Sequence, residues 1–291
     1  MPRLISDITT ITRTGVFPGL SREDYFELPG LNPSSIAAGI RKRAWPGSRV
    51  SPLFIKDAYE HSGNDEKTTD AMLFGTLTHL ICFEPDRFKT DVAVWKGGRR
   101  AGKEWNDFVA NHEGQLIVKE QQYHDALSCL MPLISMKEFQ GYISAGASEV
   151  GVFTEISGLQ CKGELDWISS SIPSIWDLKT ARDIEPGAFG RQFFELKYDV
   201  KLGTYREMLK RQGMSFDEVC IAAVRNTPPW DAVLYRIPEE VLDRGWEKAH
   251  EVIEAVAECL KLGIWPGAGG GTAWADLEVP YWAMSDEVDW S

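Results

Sequence analysis

The sequence has no apolar run approaching the ~18 residues that a membrane-spanning helix needs, and its opening Met-Pro-Arg-Leu-Ile-Ser-Asp lacks the apolar core of a secretory signal. It has no Cys-x-x-Cys pair. Cys82, Cys129, Cys161, Cys220 and Cys259 stand singly and are odd in number, which argues against a zinc ribbon or a redox motif. Iron–sulfur ligation would need several distant single cysteines to converge, so reduced, mostly buried thiols are expected. Positive charge is short as well: 31 Lys and Arg stand against 43 Asp and Glu, a net charge of −12. Such a chain is no general polyanion binder, and any contact with nucleic acid must be confined to a local basic groove. No internal repeat or low-complexity segment is present. A soluble, cytoplasmic protein is expected.

What is present is globular usage. The 291 residues are 43% hydrophobic and 25% charged, enough for one large or two small domains with a substantial core. Residues 1–30 show few periodic apolar positions and read as an irregular arm. Asn32-Pro33 caps a short helix carrying Ile36 and Ile40, which runs into Arg41-Lys42-Arg43 and stops before Pro46-Gly47. Ser51-Pro52 opens a helical piece through Ile55. Residues 61–67 read as a mobile polar loop. Thr69-Asp70 caps a helix with Leu73, Leu77 and Leu80 at helical spacing, ended by Glu84-Pro85. A glycine-rich basic loop, residues 96–103, precedes a helix from Glu104, and helix signals over 120–138 are interrupted near Pro132. Residues 149–180 turn β-rich, with strands at Val150–Phe153, 159–168 and 174–179. A helix over 198–212, strands at 219–224 and 232–237, and an amphipathic helix from Pro238 to Gly263 follow. The tail from Trp265 reads as irregular packing over the body. The order implies an α/β core, a sheet flanked by helices, with a helical N-terminal elaboration.

The most informative stretch is Gly163-Glu164-Leu165-Asp166-Trp167 followed by Ile175-Trp176-Asp177-Leu178-Lys179-Thr180. In a strand, alternate side chains share a face. Lys162, Glu164 and Asp166 therefore share one face of the first strand, and Asp177 and Lys179 one face of the second. A hairpin centred between residues 171 and 172 places Asp166 opposite Asp177 and Glu164 opposite Lys179. Facing Cβ atoms lie about 4.5–5.5 Å apart, where like charges repel. Either one carboxyl takes up a proton or a hard divalent cation sits between them; a solvated edge hairpin is the plain structural alternative. Lys179 favours the cation, because an ammonium beside metal-bound carboxylates can offset charge developing on a phosphoryl group.

These residues resemble the signature of the PD-(D/E)XK nuclease superfamily, and more narrowly the phage and prophage exonucleases of the exodeoxyribonuclease VIII (RecE) type. Gly75-Thr-Leu-Thr-His79 is similar to that family's Gly-x-x-x-His helix, and Glu149-Val-Gly-Val-Phe to the strand before its hairpin. Arg99-Arg100-Ala-Gly-Lys103-Glu-Trp105 is similar to its basic loop, residues 198–205 to its following helix, and Trp265-Pro-Gly to its tail. The matches run from about residue 32 to 283. The Asp…Asp-x-Lys triplet alone is weakly specific; its ordered combination with the other motifs is much more so.

The resemblance implies a restriction-endonuclease-like core in a single domain from residue 31 to 291. It implies metal ligands at His79, Asp166, Asp177 and the carbonyl of Leu178, a catalytic Lys179, and an acidic position at Glu149 that serves the site or simply starts a strand. Gly75 is expected to let the helix approach the sheet. Arg99, Arg100 and Lys103 are expected on DNA phosphates. Where the family usually has Gln-x-x-x-Tyr, this chain has Lys201-Leu-Gly-Thr-Tyr205; lysine can contact phosphate but cannot accept a hydrogen bond as glutamine does. The implied activity is Mg²⁺-dependent digestion of one strand of linear duplex DNA, 5′ to 3′, leaving a 3′ overhang, with Mn²⁺ able to substitute. The implied partners are duplex DNA ends, copies of the chain in a trimeric or tetrameric ring, and a single-strand annealing protein, in a bacterial cell carrying a phage or prophage. A same-fold endonuclease, a single-strand or flap nuclease, and a non-enzymatic DNA-end-binding module are the alternatives.

Overall fold

A computed structural model describes residues 4–40, 52–60, 69–267, 277 and 279. The basic run Arg41-Lys42-Arg43, the stop at Pro46-Gly47, the polar loop 61–67 and most of the tail beyond Trp265 lie outside the described residues.

Three strands that the sequence marks most plainly form the middle of a six-stranded sheet: β4 (Gly146–Ile156), β5 (Leu159–Ser169) and β6 (Ser174–Ala181). The β4–β5 turn is two residues long. Ser157 (φ 52°) and Gly158 (φ 77°) both take positive φ, the backbone that matches the twist of adjoining strands. The full strand order is β1-β4-β5-β6-β7-β8, with β1 (Gly15–Phe17), β7 (Glu218–Arg225) and β8 (Ala232–Arg236). Within this sheet β6 and β7 run parallel, and the other neighbouring strands run antiparallel. A parallel pair needs a long crossover, supplied by α9 (Pro186–Glu195) and α10 (Tyr198–Arg211).

The strand period builds two apolar layers. In β7, Val219, Ile221 and Ala223 face one, while Cys220, Ala222 and Val224 face the other. The first layer is closed by α2 (Pro33–Ala38), α3 (Pro52–Glu60), α10 and α11 (Glu239–Leu262). The second is closed by α4 (Asp70–Phe83), α7 (Glu120–Ile134) and α8 (Lys137–Ile143). Ile175 joins the first layer and Trp176 and Leu178 the second, so Asp177 and Lys179 share the phase that looks toward α10.

The cap at Asn32 forms as expected, its Oδ1 accepting from Ser35 N–H. Pro132 lies inside α7, and the helix break falls at Ser135-Met136 instead. Two larger differences concern short elements. The described part of the N-terminal arm, residues 4–30, is not irregular: it carries a 3₁₀ turn (Ile5–Thr9), β1 and α1 (Arg22–Glu27), with Ile5, Ile8 and Tyr25 buried. Lys162 fastens this arm, its buried ammonium donating to the carbonyls of Tyr25 (2.7 Å) and Leu28 (2.6 Å). A second, parallel two-stranded sheet, β2 (Val92–Trp95) with β3 (Leu116–Lys119), forms a small lobe with α5 (Pro85–Asp91) and α6 (Lys103–Asn111). Elements of three to seven residues are too short to declare a period.

Candidate metal centre

Helix α4 brings the first group, His79. Thr69 caps it, its hydroxyl accepting from Met72 N–H, and Leu77, Leu80 and Phe83 bury its apolar side. His79 stands on the remaining face, its ring against Phe83, which stacks on Trp167 of β5. Gly75 contributes no close approach: a Cβ there would meet nothing within 4 Å. That corrects the expected role of this glycine. The helix reaches the sheet through its larger side chains.

The hairpin supplies the second group. The expected β5–β6 register forms from Ser169↔Ser174 to Trp167↔Trp176 and then the ladder stops, one pair short of Asp166 and Asp177. Beyond that point the carboxylate replaces the backbone as partner: Leu178 N–H donates to Asp166 Oδ2 (2.8 Å). His79 Nε2 lies 3.2 Å from the same Oδ2 and 3.0 Å from the Leu178 carbonyl oxygen.

Glu149 arrives from the other side of β5. The β4–β5 ladder pairs Ser148 with Trp167 and Val150 with Leu165, and skips the pair between them, Glu149 and Asp166. Glu149 has φ 45°, a conformation that an L-residue enters at a cost of order 1–3 kcal/mol and that tends to mark functional sites. Ligand atoms of His79, Glu149 and Asp166 all lie within 4.8 Å of one another. They line a cleft of about 450 Å³ together with Glu164, Glu84 and Arg87. Arg87 is held by salt bridges to Glu84 and Asp91.

The chemistry of this donor set fits a cation. An imidazole nitrogen, a carboxylate oxygen and a peptide oxygen converge within about one hydrogen-bond length, and Nε2 has a single proton to divide between two oxygens. A hard divalent ion accepts all three lone pairs, and carboxylate and carbonyl oxygens are what Mg²⁺ and Mn²⁺ select.

Asp177 and Lys179 adjoin this set. Their Nζ–Oδ2 distance is 2.5 Å, and the ammonium also donates to the Leu178 carbonyl (3.3 Å). Burial pushes the Asp177 carboxyl above its ordinary range, and nearby Asp166 adds to the rise, against the pull of Lys179. The ammonium of Lys179 is held well above its usual value, because Asp177 and Asp166 outweigh the effect of burial.

Helix α10 closes the site from the sheet's other side with Tyr198, Lys201 and Tyr205 at i, i+3 and i+7. Both Lys179 and Lys201 place their ammonium groups over the Tyr198 ring, at 5.4 and 5.6 Å from its centroid. Burial, then the charge of Lys179, presses Lys201 below the ordinary lysine value. Tyr205 lies on Gly163, where a Cβ would come within 2.6 Å of its ring, so the strand must have glycine there.

In the basic loop, Arg99 and Lys103 are exposed. Arg100 is engaged internally: its guanidinium donates to the Ile117 carbonyl (3.0 Å) and lies 5.3 Å over Trp105. Tyr198 is the neighbour that sequence reasoning missed; its spacing from Lys201 was the available signal. Likewise, taking Ser157-Gly158 as a two-residue turn would have set Glu149 opposite Asp166.

The family model of a PDDEXK-like domain of unknown function (DUF3799) matches residues 55–277. Among solved structures, a chain from Eubacterium rectale named "Putative exonuclease" is 16% identical, with a TM-score of 0.58 over 90% of this chain and 95% of that one. A phage related exonuclease from Haemophilus somnus is 13% identical, with a TM-score of 0.37 over 81% of this chain and 97% of that one. No curated protein matches the chain.

Proposed function

Because the chain belongs to the family of PDDEXK-like domains, we propose that the cleft is the active site of a Mg²⁺-dependent exodeoxyribonuclease that digests one strand of linear duplex DNA. The observation that carries this is the convergence of His79 Nε2, Asp166 Oδ2 and the Leu178 carbonyl beside the Asp177–Lys179 pair. The fold agrees with that of the Eubacterium rectale structure.

His79, Glu149, Asp166 and the Leu178 carbonyl would hold the ion, with Asp177 as a further ligand. When bound, Mg²⁺, or Mn²⁺ in its place, supplies a Lewis acid for the phosphodiester and lowers the pKa of a coordinated water. The residues of the chain do the rest. Lys179, fixed by Asp177, offsets charge that builds on the phosphoryl oxygens. Lys201 adds a second ammonium on the α10 side, where a glutamine would only donate and accept hydrogen bonds. Leu80 and Leu116 are the apolar side chains that line the cleft, and the ring of Phe83 backs His79. Arg99 and Lys103 guide the phosphate backbone, with Arg100 and Tyr205 placed to hold the loop and the helix that flank it.

The finer reading is 5′-to-3′ digestion that leaves a 3′ overhang for a single-strand annealing partner, by a ring of three or four copies in the cytoplasm of a bacterium carrying a phage or prophage. No helix among the described residues is long and apolar enough to cross a membrane.

The decisive experiment compares end-labelled linear duplex with closed circular DNA in Mg²⁺. Loss of label from linear DNA alone, abolished by Asp177→Ala, is expected, and labelling each end in turn reads the polarity. Cutting of the circle would instead make the protein an endonuclease, and an Asp177→Ala variant as active as the parent would remove the mechanism. Light scattering tests the ring: a monomer that digests processively overturns it.

A further inference from the structure

The small lobe carries a groove that the chemistry of the metal centre leaves unused. It lies between α6 and β3, has a volume of about 590 Å³, and is lined by Trp105, Val109, His112, Gly114 and Ile117 among others, with Glu113 as the one acid. Trp105 and His112 are the aromatic side chains of its wall, and they are backed by a cluster of rings. Trp95 meets Trp105 and Phe108 at 5.3 and 5.0 Å, and Phe108 stacks on His112 at 4.0 Å. The basic loop is fastened across this wall. A Cβ on Gly97 would meet the Trp95 ring at 2.1 Å, and Arg100 reaches over Trp105 to the Ile117 carbonyl. Arg99 and Lys103 are left exposed beside the groove. Gly114, with φ 83°, borders both the groove and the metal cleft, so the two are neighbours along one path.

We propose that this groove binds the unpaired end of the nucleic-acid strand whose backbone enters the metal cleft. Bases inside a duplex are already stacked on one another, so an aromatic wall has value for a strand only where that strand is single. The exposed cations suit its phosphates, and adjacency to the cleft orients the strand toward the ion. The inference rests on the nuclease reading of the cleft, which it deepens by naming the form of strand that is held there.

The test measures binding by fluorescence anisotropy, with Ca²⁺ replacing Mg²⁺ so that no turnover is required. Two labelled probes are compared: a blunt duplex and the same duplex with a single-stranded tail of several nucleotides. The parent protein prefers the tailed probe. Trp105→Ala weakens the tailed probe by about 5- to 150-fold, the range for loss of one stacked base, and leaves the blunt probe nearly unchanged. Trp105→Phe retains most of the preference. His112→Ala reproduces the selective loss in smaller measure, which keeps the test usable should Trp105→Ala fail to fold. Equal weakening of both probes in both variants, or no weakening of either, overturns the proposal. Failure of the nuclease reading has a different signature, namely no hydrolysis of any DNA by the parent protein with Mg²⁺ or Mn²⁺, and it is read in a separate assay.

Discussion

Two lysine–aspartate pairs have the same geometry in two parts of the molecule. Lys179 and Asp177 lie 2.5 Å apart on one strand, and Lys248 and Asp199 lie 2.5 Å apart between α11 and α10. Distance and residue type do not separate them; their surroundings do. The first pair sits beside Asp166, His79, the Leu178 carbonyl and the Tyr198 ring, and burial, with a smaller push from Asp166, drives Asp177 up from its ordinary range. The second sits where the helices touch through glycines: a Cβ on Gly245 would lie 2.0 Å from the Asp199 carbonyl, and one on Gly203 2.5 Å from the Leu242 carbonyl. Its Asp199 Oδ1 has no partner among the described residues. One pair is set among groups that compete for the same charge, as a reacting site requires; the other joins two helices. An ion pair becomes informative about function only through what else reaches for it.

The largest expected effect breaks the first pair. Lys179→Met removes the ammonium nearest the Leu178 carbonyl and leaves the apolar stem. Loss of one preorganised charge of this kind costs about 10²- to 10³-fold in turnover. Turnover per folded molecule on linear DNA should fall by that order, beyond any loss of stability from leaving Asp177 without its ammonium. A variant that melts early yet turns over normally per folded molecule would assign Lys179 to the fold and erase the distinction between the two pairs.

The second pair should respond in the opposite way. Lys248→Met leaves the Asp199 carboxylate, 2% exposed, without its counter-ion. Breaking a fully buried pair costs roughly 3–5 kcal/mol. Lys248 is a third exposed, so solvent screening brings the expectation down to about 1–3 kcal/mol. Chemical denaturation measures it, and the double variant Lys248→Met, Asp199→Asn should recover part of the loss because no stranded charge remains. Turnover per folded molecule should be unchanged within about twofold. A large fall in turnover without a fall in stability would move this pair into the active site.

The same contrast separates what was legible in the sequence from what was not. The hairpin, its register through Trp167↔Trp176, the cap at Thr69 and the long helices at 198–211 and 239–262 were readable, because they rest on period, capping and turn chemistry. So was the grouping of His79 with Asp166 and Leu178, through the resemblance to nuclease motifs. The Lys248–Asp199 pair was not, because the packing angle of α10 on α11 depends on Gly203 and Gly245 meeting across 42 residues. The β2–β3 lobe escaped because four-residue strands carry no period. The site geometry also departs from regular pairing at each of its carboxylates, Glu149, Asp166 and Asp177. The ladder ends before Asp166 and Asp177, and it breaks at Glu149, whose positive φ no alternation pattern signals.

The smallest expected effect concerns pH, and it tests the burial of Asp177 beside Asp166. A carboxyl whose pKa is higher in the folded chain binds its proton more tightly there than in the unfolded chain. Its contribution to stability is therefore fully present below the unfolded value, 3.8 for aspartate, and is lost as pH rises through the folded value. For Asp177 the rise means that, as pH climbs above 3.8, the carboxyl becomes a growing burden on the fold. Asp177→Asn removes the burden while keeping the shape of the side chain. In the absence of divalent ions, the variant should be at least as stable as the parent at pH 7, and the difference should shrink as pH is lowered toward 4. Added Mg²⁺ should reverse the order by stabilising the parent more than the variant, since binding to the folded form alone raises stability. If the variant is instead the less stable of the two at pH 7 without metal, the attraction of Lys179 outweighs burial and the neighbouring Asp166, and the two pairs are closer in kind than their surroundings indicate.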